Sequence, residues 1–134
     1  MKYILSMLLL ASLASCEVTT SRTVTPEYID AKKMEAELTA LVKEAEDISI
    51  SGKSITENGK QKTQLDVIIT NSPAIPKATV KQQELARAIA KSMKSNLKNQ
   101  HAYQTFDIQF VYEEHATFSA KTETIETIFE NKDL

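Results

Sequence analysis

Two histidines, one cysteine and a scatter of carboxylates are the side chains this chain has for acid–base, nucleophilic or metal chemistry. The histidines are His101 and His115. His115 follows Glu113-Glu114, which invites a metal or proton-transfer reading. That spacing does not converge ligands on a strand or turn as H-E-x-x-H does on a helix, so both histidines read as solvated loop residues. The serines have no G-x-S-x-G elbow around them, so no serine nucleophile is expected. Asp66 and Asp107 fall on the outer faces of expected strands and would be paired carboxylates if those strands were neighbours. Sheet-surface acids more commonly meet Lys or Ser across strands, so no catalytic residue is assigned. The two glycines of the chain leave no room for a phosphate-cradling loop. No metal or cofactor is expected.

Charge is more informative. Lys77, Lys81, Arg87, Lys91, Lys94 and Lys98 stand against Glu84 alone in one helical stretch and its approach. At 100° per residue, Arg87, Lys91, Lys94 and Lys98 fall within a ~60° arc, nearly opposite Leu85, Ile89, Met93 and Leu97. The ordinary reading is the wet back of an amphipathic helix. The functional reading is an anion-docking stripe for lipid headgroups, lipopolysaccharide or an acidic protein. Nucleic acid is not an expected partner, because no aromatic residue interleaves the basic strip.

The elements that would position these residues follow from periodicity. Thr25-Pro26-Glu27 predicts a helix start. Ala31, Met34, Leu38, Leu41 and Ala45 then give one apolar face to about Glu46. Ile48 and Ile50 alternate with serines, and Asn58-Gly59 predicts a type I′ hairpin. A two-residue turn there pairs Ile48 with Ile69, Ile50 with Val67 and Gly52 with Leu65, which puts the aliphatics on one face. Pro73 and Pro76 mark a loop, and Thr79 to Gln82 reads as a capping box opening a second helix to about Asn99. Phe106, Ile108, Phe110 and Tyr112 predict a third strand. The segment 121–130 is ambiguous; its β-branched residues decide for a strand. The order αββαββ, with the two αββ halves offset by 58 residues, predicts an α+β two-layer sandwich: a four-stranded antiparallel sheet with both helices on one face.

The start of the chain carries the most specific signal. Lys2 is the only charge before Glu17, and an apolar run from Tyr3 to Leu13 is broken only by Ser6 and Ser12. That run is about 11 residues, against roughly 20 for a spanning helix. Leu13-Ala14-Ser15-Cys16 follows, and Cys16 is the only cysteine. These residues resemble the signal and lipobox of bacterial lipoprotein precursors. The resemblance covers residues 1 to 16. It implies cleavage before Cys16, a diacylglycerol on its sulfur and often an acylated amine. Glu17, where an Asp often retains such proteins in the inner membrane, favours the outer membrane if the envelope is Gram-negative.

The expected organisation is therefore a signal peptide over 1–15, a lipidated Cys16 with a flexible tether over 16–24, and one α+β domain over 25–134. Losing residues 1–15 removes Lys2 and leaves a net charge of −3, against −2 for the whole chain. With Cys16 spent on lipid, no disulfide remains to help the fold. The expected function is a non-catalytic, membrane-anchored module of the cell envelope that meets the membrane through Cys16 and an envelope protein or anionic surface besides. The alternative is a carrier that holds a lipid or small hydrophobic ligand between sheet and helices, lined by Met93, Phe106, Phe110 and Tyr112.

Overall fold

The computed structural model describes residues 19–134. The signal-like segment and Cys16 lie outside the described residues. In chain order the elements are β1 (Thr19–Thr23), α1 (Ala31–Leu41), β2 (Asp47–Glu57), β3 (Lys60–Thr70), α2 (Thr79–Asn96), β4 (Thr105–His115) and β5 (Ala120–Glu130). The five strands form one sheet in sequence order.

The β2–β3 hairpin has the expected register. Ile48 faces Ile69, Ile50 faces Val67 and Gly52 faces Leu65. Asn58 and Gly59 both take positive φ, +51° and +75°, as a type I′ turn requires. The segment 121–130 is a strand, antiparallel to β4, with Phe106 opposite Phe129.

The sheet is five-stranded and mixed, not four-stranded and antiparallel. β3 and β4 run parallel, Leu65 beside Phe106 and Ile69 beside Phe110. The cause is α2, whose 18 residues span ~27 Å and carry the chain back to the end where β3 began. A strand reached by such a crossover lies parallel to the one it left. The fifth strand is β1, which pairs antiparallel with Lys53 to Glu57 of β2. The stretch expected to be an irregular tether is thus sheet from Thr19 to Thr23.

Both helix boundaries also differ from expectation. Thr25 to Ile29 does not begin α1. It crosses the end of α2 instead: Lys98 N donates to Glu27 O at 2.7 Å and Ile29 N to Asn96 O at 2.9 Å. Asp30 caps α1, accepting from Lys33 N at 3.1 Å. At α2 the capping box does not form, because Gln82 turns its amide to Pro76 O at 2.8 Å.

The core lies between the sheet and the two helices. Leu65, Val67, Ile69, Phe106, Ile108 and Phe110 meet Leu38, Ile89, Ala90 and Met93, all of them buried. A polar clamp joins the helices. Glu37 Oε2 accepts from Ser92 Oγ at 2.8 Å and Asn96 Nδ2 at 2.6 Å, and these bonds hold its carboxyl below the usual range. The chain enters the core at Tyr103, buried at 1 % exposure, whose hydroxyl donates to Val24 O at 3.2 Å.

The two glycines serve different ends. A Cβ on Gly52 would run into Val24 O and lie 2.8 Å from the Tyr103 hydroxyl, whereas one on Gly59 would meet nothing within 4 Å. Gly52→Ala is expected to cost ~1–3 kcal/mol by overpacking. Gly59→Val is expected to cost a similar ~1–3 kcal/mol through backbone strain alone. The two separate on Asn substitution, since Asn tolerates positive φ: Gly59→Asn should restore most of the urea midpoint, and Gly52→Asn none of it.

Candidate functional site

The parallel β3–β4 pairing brings two acids together. Asp66 lies directly beside Asp107. Their neighbours Leu65, Val67, Phe106 and Ile108 face the helices, so the two aspartates face away, on the open side of the sheet. Both are nonetheless buried by the side chains around them, Asp66 to 7 % exposure and Asp107 to 1 %. Lys53 Nζ sits 2.9 Å from Asp66 Oδ2, and this contact raises the lysine's pKa. Gln64 Nε2 donates to Asp66 Oδ1 at 2.6 Å and, more weakly, to Asp107 Oδ2 at 3.4 Å. Gln109 Nε2 donates to Asp107 Oδ2 at 2.8 Å.

Asp107 is the unusual member. Its Oδ1 is buried without a hydrogen-bond partner. Burial pushes its carboxyl up to about 7, the neighbouring Glu126 carboxyl pushes in the same direction, and the Gln109 bond opposes them. A carboxyl that holds a proton near neutrality beside a lysine-paired carboxylate has the makings of an acid–base pair. The position argues against that use. The pair stands on an open sheet face and lines neither of the clefts between helices and sheet, those of α2 with β5 and of α1 with β2. The residues across the strands are the Lys and Gln partners of an ordinary sheet surface.

The basic stripe on α2 is divided. Arg87 Nη1 donates to Asp133 O at 3.1 Å, with its guanidinium 4.9 Å from the centre of the Phe129 ring. Lys94 Nζ donates to Asn131 O at 2.8 Å and Leu134 O at 3.1 Å. Asn131 in turn donates its side-chain amide to Gln100 O and Tyr103 O. Two of the four cations therefore hold the turn after β5 onto α2. Lys91 and Lys98 remain exposed.

His101 lies exposed in the short turn before β4, and His115 at the far end of β4, 3.4 Å from Glu113. The structure does not bring them together. No group of three metal-ligating side chains occurs among the described residues. Met93, Phe106 and Phe110, the candidate ligand lining, are fully buried in the core, and only Tyr112 is half-buried. The sequence held the signal for the Asp66–Asp107 juxtaposition, but it becomes visible only once β3 and β4 are known to be adjacent. The exposure of Phe118, 99 % at the tip of the β4–β5 hairpin, was not anticipated. Compared with protein-family models, curated proteins and solved structures, the chain matches none.

Two predictions follow from these contacts. Asp107 holds its proton up to about pH 7 when folded, against a reference value of 3.8 when unfolded. Between those values the folded chain binds more protons, so its stability falls as pH rises through that window. Asp107→Asn is expected to flatten this dependence and to be more stable than wild type by ~1–2 kcal/mol at pH 8, with little difference at pH 4. Urea midpoints across pH 4–8 check this; parallel curves for the two proteins would refute it. On α2, Lys94→Glu is expected to cost ~1 kcal/mol by releasing two carbonyls, and Lys91→Glu less than ~0.5 kcal/mol as an exposed charge. Equal thermal midpoints for the two variants would show that Lys94 holds nothing.

Proposed function

We propose that this chain is a lipid-anchored lipoprotein of the cell envelope, acting as a non-catalytic interaction or accessory module close to the membrane surface. The observation that carries the reading is the position of β1. It begins at Thr19, three residues past the lipobox cysteine Cys16. Three residues reach roughly 10 Å, so an acylated Cys16 would hold the domain directly against the bilayer. No helix among the described residues is long and apolar enough to cross a membrane, and a lipid at Cys16 would supply the attachment instead. In a Gram-negative envelope, Glu17 favours the outer membrane.

The chemistry-bearing side chains support a module over an enzyme. The histidines stand apart, and Asp66 is held by Lys53 away from the clefts between helices and sheet. The packing supports a module over a carrier. Met93, Phe106 and Phe110 are sealed in the core, and the two clefts between helices and sheet open to solvent: one of about 510 Å³ between α2 and β5 carries Glu84, Arg87, Glu130 and Asp133 on its walls, and one of about 290 Å³ between α1 and β2 falls below the ~300–1,000 Å³ of ligand sites.

Cys16→Ser tests the anchor. Labelled palmitate is expected in the wild-type chain and not in the variant, and the wild type alone should float with membranes on a density gradient. Equal labelling of both would end the lipoprotein reading.

A further inference from the structure

The sheet has two distinct ends. The β2–β3 hairpin projects past the start of β4, which begins at Thr105 beside Gln64. That leaves a three-stranded tongue of β1, β2 and β3, closed by Asn58-Gly59, with Thr19 paired to Glu57 at its tip. The described residues therefore begin at this tip, three positions past Cys16. Arg22, Lys60 and Lys62 are exposed there, with Glu57 as the one acid of the tip among the described residues. None of the three cations makes a salt bridge among the described residues. Nor does any of the three donate a side-chain hydrogen bond among the described residues, whereas Arg87 and Lys94 of α2 donate to backbone carbonyls of the turn after β5.

The other end has the opposite sign. The turn between α1 and β2 and the β4–β5 hairpin carry Glu44, Glu46, Asp47, Glu113, Glu114 and Glu123 against Lys43 and Lys121, with Lys77 on the adjoining loop. The fully exposed Phe118 stands at its tip. Because β4 runs parallel to β3, this tip lies about 14 residues of strand beyond Thr19, ~45 Å at ~3.3 Å per residue.

We propose that the β2–β3 tongue is the membrane-facing end of the domain: Arg22, Lys60 and Lys62 rest on anionic lipid headgroups, and the acidic β4–β5 hairpin with Phe118 is held away from the bilayer. The proposal rests on the lipid-anchor reading and adds an orientation to it. Two observations carry it together. Three residues separate Thr19 at the tongue's tip from Cys16, a reach of at most ~10 Å from an acylated cysteine. The charges on the tongue are those an anionic surface attracts, while the acids at the far end are repelled. A domain lying flat would bring both hairpins to the lipid at once.

The test uses the full, processed chain on vesicles of phosphatidylcholine, with or without phosphatidylglycerol. An acylated Cys16 leaves any introduced thiol unique, so a fluorophore can be placed by Gln61→Cys on the tongue or Thr117→Cys on the far hairpin. Lipids bearing a quencher near the headgroup are expected to quench the label at 61, more strongly with phosphatidylglycerol and less so in high salt, and to leave the label at 117 unaffected. The double variant Lys60→Glu/Lys62→Glu is expected to lose the phosphatidylglycerol-dependent quenching at 61 while still floating with the vesicles. Equal quenching at 61 and 117, or quenching at 61 that ignores both lipid charge and the double variant, would overturn the orientation and leave the anchor standing. A chain whose mass lacks diacylglycerol and which does not float would overturn the anchor, and the orientation with it.

Discussion

The turn at Asn58 and Gly59 decides where nearly everything on the sheet goes. Two consecutive residues at positive φ close β2 onto β3 in a single register. A slip of one residue would carry Leu65, Val67 and Ile69 to the open face and bring Asp66 under the helices. From that register follow the side on which α1 and α2 pack, the strand beside which β4 is laid, and the carboxylate that Lys53 reaches. Gly52, opposite Leu65, sits where β2 must admit Val24 and Tyr103 at close range, so the same pairing also fixes where the chain enters the sheet.

The helices and the open face solve the burial of polar groups differently. Between α1 and α2, Glu37 has enough donors around it to remain a carboxylate. On the sheet, Asp107 is more deeply buried, faces another acid and leaves one oxygen unpartnered. The first arrangement fixes the angle between two helices. The second carries a cost that grows as the proton leaves, which makes the centre of the sheet the most pH-sensitive part of the fold.

What was legible in the chain was mostly local. The hairpin register came from turn chemistry and alternation agreeing over Ile48 to Ile69, and the strand at 121–130 from β-branched residues, although Ile125, Ile128 and Phe129 also suit a helical face. What escaped was set by distant partners. Pro26 looked like a first helical residue, but the segment around it is claimed by Asn96, Lys98 and Asn99 more than sixty residues away. Thr19 to Thr23 has no hydrophobic period because its five residues are all exposed; backbone bonds to β2 make it a strand. The parallel pairing of β3 and β4 was implicit in the length of α2. Of the site residues, Arg87 and Lys94 read as half of a surface stripe, since nothing local foretold that the turn after β5 would lie across them.

The placement of β1 also sets how the domain resists being pulled. Tension arriving through the residues ahead of Thr19 acts along the axis of β1, away from the body of the sheet. The hydrogen bonds to β2 lie across that axis, so they are loaded together, in shear, and are not opened one after another from an end. Behind them, Val24 is tied to Gly52 O and to the Tyr103 hydroxyl, within the packed core. A short, exposed strand that adds little to the core thereby becomes a mechanical coupling, able to carry a pull from the chain ahead of it into the sheet without unzipping.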